Sequence, residues 1–323
     1  MAHILVAGRI HAAGVAALKA AAGHSFRIVE EVSVESYAPH LPEADALLLR
    51  TQPLTADLMA SSPRLQVVSR HGVGYDAVDV KALNARAIPL TIVGDVNSRA
   101  VAEHTLMLML GCARHVAAHD KASRNGQWNV RNRFETVELD GKTVLLLGFG
   151  RIGRRVAQLA QAFGATVHAY DPYVSADAMS ALGVTHEPTA AAALPKADYV
   201  SLHLPLATGG PVIGAAELAL MKPSATLVNA ARGGLIDESA LDQALRNGKL
   251  FAAGLDVLRS EPPAPDHPLL SNDRAIISPH SAGLTDECAA RMAIASVRNI
   301  LDFFAGTLDP ALVVNADAVS LTR

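Results

Sequence analysis

The chain has 323 residues, 50% of them hydrophobic and only 18% charged, and its 28 basic and 31 acidic side chains leave a formal net charge of −3. That length suits two domains or one large α/β unit. The composition excludes a disordered chain and an electrostatic binder of polyanions, so nucleic acid is not expected as a partner. Cys112 and Cys288 stand far apart with no Cys-x-x-Cys, which suggests neither a disulfide framework nor a thiolate zinc site and fits a reduced, cytoplasmic setting. The opening Met1–Ile10 has no basic stretch followed by a long apolar segment, and no uncharged run is long enough to cross a bilayer, so no membrane partner is expected.

In chain order, short apolar runs at His3–Ala7, Ala46–Arg50, Leu65–Ser69 and Ile88–Ile92 alternate with Ala-rich or amphipathic segments, the pattern of a small parallel α/β sheet. Asn97 to Arg124 reads as one long helix with Asn97 or Ser98 as N-cap and Gly126 as its stop. Strand–helix alternation restarts at Lys142, with strands expected at Thr143–Leu147, Thr166–Tyr170, Tyr199–Leu202, Thr226–Asn229, Ala252–Val257 and Ile276–Ser278. Strands in that order suggest a complete Rossmann-type doubly wound sheet. A second long helix, Thr285 to Ala305, carries Asp286 and Glu287 in its first turn, where acids complement the helix dipole.

The sharpest local signal is Val144-Leu-Leu-Leu-Gly148-Phe-Gly150-Arg-Ile-Gly153, a buried-type strand running into glycines and then into a helical segment. Gly148 permits the tight turn, Gly150 lets a pyrophosphate approach the backbone, and Gly153 lets helix pack closely on strand. The N–H groups at that helix start would hold phosphate oxygens. The next strand ends in Asp171, about 20 residues on, where an acid takes ribose hydroxyls. Its charge would repel a 2′-phosphate, and Pro172-Tyr173-Val174 supplies no arginine to offset it, so NAD is expected over NADP.

Ligands of open α/β sheets bind outside the carboxyl ends of the strands. Arg232 follows the Thr226 strand, Glu261 the Ala252 strand, and His280 the Ile276 strand. Singly, each reads as an ordinary strand-end residue. Together they are a complete set for reducing a 2-oxo acid: a planar cation for carboxylate and carbonyl oxygen, a titrating imidazole, and a carboxylate that stabilises the imidazolium and holds the ring.

These segments, Asn229-Ala-Ala-Arg232-Gly-Gly-Leu-Ile-Asp237, Gly254-Leu-Asp-Val-Leu-Arg-Ser-Glu261-Pro-Pro263 and Ser278-Pro-His280, resemble the signatures of the D-isomer-specific 2-hydroxyacid dehydrogenases. Ser69-Arg-His-Gly72-Val-Gly74-Tyr-Asp76-Ala-Val-Asp79, Val101-Ala-Glu103 and Val313-Val-Asn315 extend the likeness over nearly the whole chain, nearest to the 3-phosphoglycerate dehydrogenase branch. The resemblance implies an NAD-binding Rossmann domain over about 98–286, inserted in a smaller flavodoxin-like α/β substrate domain of 1–97 and 287–323. It further implies that Arg151 and Ile152 meet the pyrophosphate, His203 and Pro205 the adenosine side, and Ala230 and Asp256 the nicotinamide amide. Arg232, Glu261 and His280 would be catalytic. Backbone amides at Val73 and Gly74 would take the substrate carboxylate, with Arg50 and Arg70 near a phosphate or second acid, and the assembly would be a homodimer.

Two features depart from the phosphoglycerate branch. Ser281-Ala-Gly283 is more similar to glyoxylate or hydroxypyruvate reductases, and the resemblance ends near residue 323 without the C-terminal regulatory domain of many phosphoglycerate enzymes, so serine feedback through it is not expected. The Pro205–Gly214 stretch is about one residue shorter than usual in the family, which leaves the role of Thr208 open. Glyoxylate or hydroxypyruvate reduction, phosphite oxidation and an NAD-sensing corepressor-like scaffold are the alternative functions the resemblance implies, and the last two keep the same three residues. His115 and His119 have a spacing that can clamp a metal but lack a third ligand, so no metal is expected. Cys112, Met107 and Met109 read as packing, and Trp128 as a cover over a site mouth or a partner, or as core.

Overall fold

The structure, a computed structural model, describes residues 1–206 and 209–319; Thr208 lies outside them. It divides into two compact units, Met1–Asn97 with Leu284–Arg323, and Ser98–Gly283, so the second crossing falls three residues before the expected one.

The first unit holds β1 (Ala2–Ala7), β2 (His24–Val29), β3 (Ala46–Leu49), β4 (Val67–Arg70) and β5 (Leu90–Thr91) in the parallel order β2-β1-β3-β4-β5. That is the flavodoxin-like order. β1 is apolar from Ile4 to Ala7 because both its faces are covered there: Leu5 and Ala7 enter one core with Leu47, Leu49 and Leu83, while Ile4 and Val6 enter the other with Val297 and Ile300. Val297 and Ile300 come from the Asp286–Ala305 helix. Its start is capped by Thr285, whose hydroxyl accepts from the Cys288 amide at 3.2 Å, and Gly306 at φ +73° ends it. β2 escapes the apolar-run reading because His24-Ser-Phe-Arg-Ile-Val sits at a sheet edge and is nowhere fully buried.

The second unit holds β6 (Thr143–Leu147), β7 (Thr166–Tyr170), β8 (Thr185–His186), β9 (Tyr199–Leu202), β10 (Thr226–Asn229), β11 (Ala252–Leu255) and β12 (Ala275–Ile277). They form one parallel sheet ordered β12-β11-β10-β9-β6-β7-β8. This is the Rossmann arrangement, with its switch point between β6 and β9. The expected six strands become seven because β8 is a two-residue, exposed edge strand. Alternation again places Leu145 and Leu147 in one core and Val144 and Leu146 in the other. Burying each such leucine is worth about 1.5–3 kcal/mol.

The single helix expected over Asn97–Arg124 is two helices, Ser98–Ala113 and Val116–Arg124, broken at His115 with φ +48°. The cause is tertiary. The Val137 amide takes the Ala113 carbonyl at 2.9 Å, the acceptor that residue 117 would need for the helix to continue, and the His115 ring packs on Phe251 with centroids 4.8 Å apart. Cys112 and Met109 are core, but Met107 is 46% exposed and Trp128 64% exposed, so neither of the latter fills a core. Among the described residues no helix is long and apolar enough to cross a membrane.

Candidate active site

The glycine loop leaves β6 directly. Gly148 has φ +98°, and a Cβ there would lie 2.4 Å from the His203 carbonyl oxygen; one on Gly153 would lie 2.4 Å from the Gly148 carbonyl oxygen. Both positions therefore admit only glycine. A Cβ on Gly150 would meet nothing within 4 Å, so the loop is open on the side where a ligand backbone would lie. The 12-residue Arg151–Ala162 helix begins at Gly150 with no side-chain cap, leaving the first-turn N–H groups that suit phosphate oxygens. Arg151 and Ile152 occupy that first turn.

Asp171 stands just past β7. Its carboxylate accepts from the Phe149 amide at 2.8 Å and the Tyr173 amide at 2.9 Å, which ties the glycine loop to the end of the neighbouring strand. His203 follows β9 beside Gly148, donates its amide to the Leu147 carbonyl at 2.7 Å, and has Nε2 3.0 Å from Ser201 Oγ. Burial pushes its imidazole down to about 4, so the ring is neutral. Pro205 is exposed and Ala230 half-buried at the end of β10. These residues are a cradle shaped for a dinucleotide.

The three candidate catalytic residues lie along the same carboxyl edge, after β10, β11 and β12. His280 Nδ1 donates to Glu261 Oε2 at 2.6 Å, while Glu261 Oε1 accepts from the Leu258 amide at 3.1 Å. Partial burial pushes the Glu261 carboxyl up, but the hydrogen bond and charge of His280 and the Leu258 amide outweigh it and hold it below the usual carboxylate range. The Arg232 guanidinium donates to the Ala231 carbonyl at 2.6 Å. Arg232 is brought beside the Glu261 loop by its neighbour: a Cβ on Gly233 would lie 2.0 Å from the Leu258 carbonyl carbon. Glu238 braces the same loop, accepting from the Arg259 amide at 2.5 Å and from His267 Nε2 at 3.0 Å.

Asp256, 1% exposed, lies beneath His280 rather than open to solvent. Its carboxylate accepts from Ser278 Oγ at 2.6 Å and from the Ser281 and Ala282 amides, both at 2.9 Å, and its carbonyl accepts from the His280 amide at 2.8 Å. Burial raises its pKa, but donation from His104, Ser278 and the two amides more than offsets this and leaves it lowered. Nothing in the sequence alone marks His104, Gly233, Glu238 and Ser278 as individually functional. Only Gly233 and Ser278 carried a signal, as members of the segments around Arg232 and His280.

The expected substrate contacts belong to the first unit. Leu49 of β3 is in register with Arg70 of β4, so Arg50 and Arg70 emerge from adjacent strand ends, followed by half-buried Val73 and Gly74. Arg50 donates to the Arg9 carbonyl at 3.1 Å and has no carboxylate within ion-pair distance among the described residues. Burial, then the charge of Arg9, lowers its pKa. His71, between these strand ends, is pushed down to about 4 by burial and by Arg50 and Arg70. Among the described residues no group of three or more His, Cys, Asp or Glu could hold a metal; His119 Nε2 lies 3.6 Å from Glu135 instead.

The profile of the D-isomer specific 2-hydroxyacid dehydrogenase NAD binding domain matches residues 106–282, more than half of the chain. The chain is 39% identical to D-3-phosphoglycerate dehydrogenase of Methanocaldococcus jannaschii over 81% of its own length and 52% of that protein. It is 38% identical to glyoxylate reductase of Aeropyrum pernix over 87% of its length and 86% of that protein. Among solved structures, D-lactate dehydrogenase from Aquifex aeolicus, complexed with NAD and lactic acid, superposes with a TM-score of 0.88 at 26% identity, covering 96% of this chain and 98% of that one. The chain spans about half the length of the phosphoglycerate relatives it matches. With the glycine cradle, the aspartate after β7 and the strand-end residues of β10 to β12 in place, the chain belongs to the D-isomer-specific 2-hydroxyacid dehydrogenase family and carries that family's NAD-binding domain.

Proposed function

We propose that the protein interconverts a D-2-hydroxy acid and the corresponding 2-oxo acid with NAD. The observation that carries this reading is the 2.6 Å bond from His280 Nδ1 to Glu261, which engages one ring nitrogen and directs proton chemistry to the other. NAD, when bound in the cradle of Gly148, Gly150 and Gly153, supplies or accepts the hydride. His280 Nε2 then donates the proton to the carbonyl oxygen in reduction and removes the hydroxyl proton in oxidation. Glu261 offsets the positive charge that the ring carries before donating. The Arg232 guanidinium suits the planar carboxylate and the carbonyl oxygen. The Val73 and Gly74 amides hold the substrate carboxylate. Asp171 favours NAD over its 2′-phosphorylated form.

Arg50, with Arg9 beside it and no carboxylate partner among the described residues, supports a substrate with a second anionic group, such as 3-phosphohydroxypyruvate. Glyoxylate or hydroxypyruvate reduction is the second reading, favoured by Ser281-Ala-Gly283 and by the near end-to-end match to a glyoxylate reductase. Steady-state assay of a 2-oxo acid panel with NADH separates them by kcat/KM. In the same assay H280A keeps NADH binding and loses nearly all turnover; unchanged turnover refutes the assignment. Tight NADH binding with no turnover of any oxo acid points to the scaffold alternative. The exposed Trp128 and Phe134, 64% and 89% accessible, support a homodimer formed through the 116–134 segment, to be checked by light scattering. Two free, buried cysteines agree with a cytoplasmic location.

A further inference from the structure

We propose that His104 is a positioning residue for His280, acting through Ser278 and Asp256; this rests on reading His280 as the proton-transferring group. His104 projects from the Ser98–Ala113 helix, and its side chain is 16% exposed. Its Nε2 lies 2.8 Å from Ser278 Oγ and 3.3 Å from Asp256 Oδ1, while Ser278 Oγ lies 2.6 Å from the same Oδ1.

Counting hydrogens fixes the direction of each bond. Asp256, held below the usual carboxylate range, only accepts. The Ser278 hydroxyl has one hydrogen, and at 2.6 Å from that carboxylate it is spent there. The serine oxygen can then only accept from His104, so Nε2 carries a hydrogen whether the ring is neutral or charged. His104 is thus the outer donor of a chain that runs from imidazole to hydroxyl to buried carboxylate.

That carboxylate organises both sides of the proposed proton donor. It takes the Ser281 and Ala282 amides at 2.9 Å each, just after His280. The Asp256 and Ser278 carbonyls take the His280 amide at 2.8 and 3.0 Å. Between these anchors His280 sits at φ +50°, a left-handed conformation that costs a non-glycine residue about 1 kcal/mol and persists only where its surroundings hold it. Removing the His104 donor leaves the serine oxygen with nothing to accept from and the buried carboxylate short of one positive dipole. The 278–282 turn then loosens, and the His280 ring loses its fixed placement against Glu261. Proton transfer depends steeply on such placement, whereas the glycine loop after β6, proposed to hold the dinucleotide phosphates, takes no part in this chain.

The test compares wild type with H104F, which has no donor, and H104Q, whose amide can donate, using an oxo acid that wild type reduces and NADH titration by fluorescence. We expect H104F to lower kcat about tenfold to a hundredfold while NADH affinity and the oxo-acid KM move less than about threefold, and H104Q to recover most of the loss. The double variant H104F/S278A should be no worse than the worse single one, because both act through one chain. Wild-type kcat in H104F overturns the inference, and so does equal impairment of H104F and H104Q, which would mean packing alone. Should H104F fail to fold, S278A gives the same reading by itself: a kcat loss with normal NADH affinity supports the chain, and unchanged kcat overturns it. Failure of wild type to reduce any oxo acid, despite binding NADH, overturns the reading of His280 and this inference with it.

Discussion

Replacing Gly233 with alanine tests whether Arg232 and Glu261 act as one machine. The added Cβ would lie 2.0 Å from the Leu258 carbonyl carbon, 2.1 Å from its oxygen and 2.4 Å from the Arg259 nitrogen, all of them backbone atoms. Nonbonded carbon atoms rest at about 3.5–4.0 Å, so the two segments must part by roughly 1.5 Å. One segment carries Arg232, the other leads to Glu261 and through it to the His280 ring. A misplacement of about 1 Å costs roughly a hundredfold in rate, so kcat/KM for the oxo acid should fall by at least that factor. Overpacking of this kind costs about 1–3 kcal/mol, which for a unit of this size lowers the melting temperature by roughly 2–12 °C. NADH titration should show near-normal affinity, because the glycine loop on β6 does not touch the altered contact. A G233A protein with wild-type kcat/KM would refute the idea that contact between these two backbone segments sets the catalytic geometry.

Asp171→Asn removes the charge opposed to a 2′-phosphate while keeping one acceptor for the Phe149 or Tyr173 amide. The preference for NAD over NADP, read as a ratio of kcat/KM values, should shrink about tenfold or more, since one unit charge near a phosphate is worth about 1–4 kcal/mol; an unchanged ratio would assign discrimination elsewhere. Glu187→Gln tests stability instead. Burial pushes the Glu187 carboxyl up, but hydrogen bonds from Lys196 at 2.9 Å and His168 at 2.7 Å outweigh it and depress its pKa. A depressed folded pKa stabilises above the unfolded value and is lost as pH falls through the folded one. E187Q should therefore unfold about 1–3 kcal/mol more easily at pH 7, with the gap to wild type closing below about pH 4 in urea titrations; a constant gap would contradict the charge-based account.

What could be read from the amino-acid order follows from how a parallel sheet is built. A strand covered on both faces is apolar along most of its length, so β1, β3 and β6 announce themselves, while β2 and β8 at sheet edges do not. Parallel strands also deliver all their carboxyl ends to one edge of their sheet. Polar residues within a few positions after such strands, Arg232, Glu261 and His280, are therefore legible as a group from the sequence. Lateral relations are not. Nothing local in Ala113-Arg-His115 foretells that the Val137 amide will claim the Ala113 carbonyl and end the helix there. His104 in mid-helix looks like any helical-face histidine until β11 and the turn after β12 bring Asp256 and Ser278 against it. The proposed reacting groups of this site are thus written in the chain as strand-end chemistry, whereas the groups proposed to aim them depend on which elements meet sideways, a property of the packed sheet rather than of any one segment. Substitutions at residues of the second kind, Gly233 and His104, should accordingly change rate more than affinity, because their contacts are with the backbone and side chains around the proposed reacting groups.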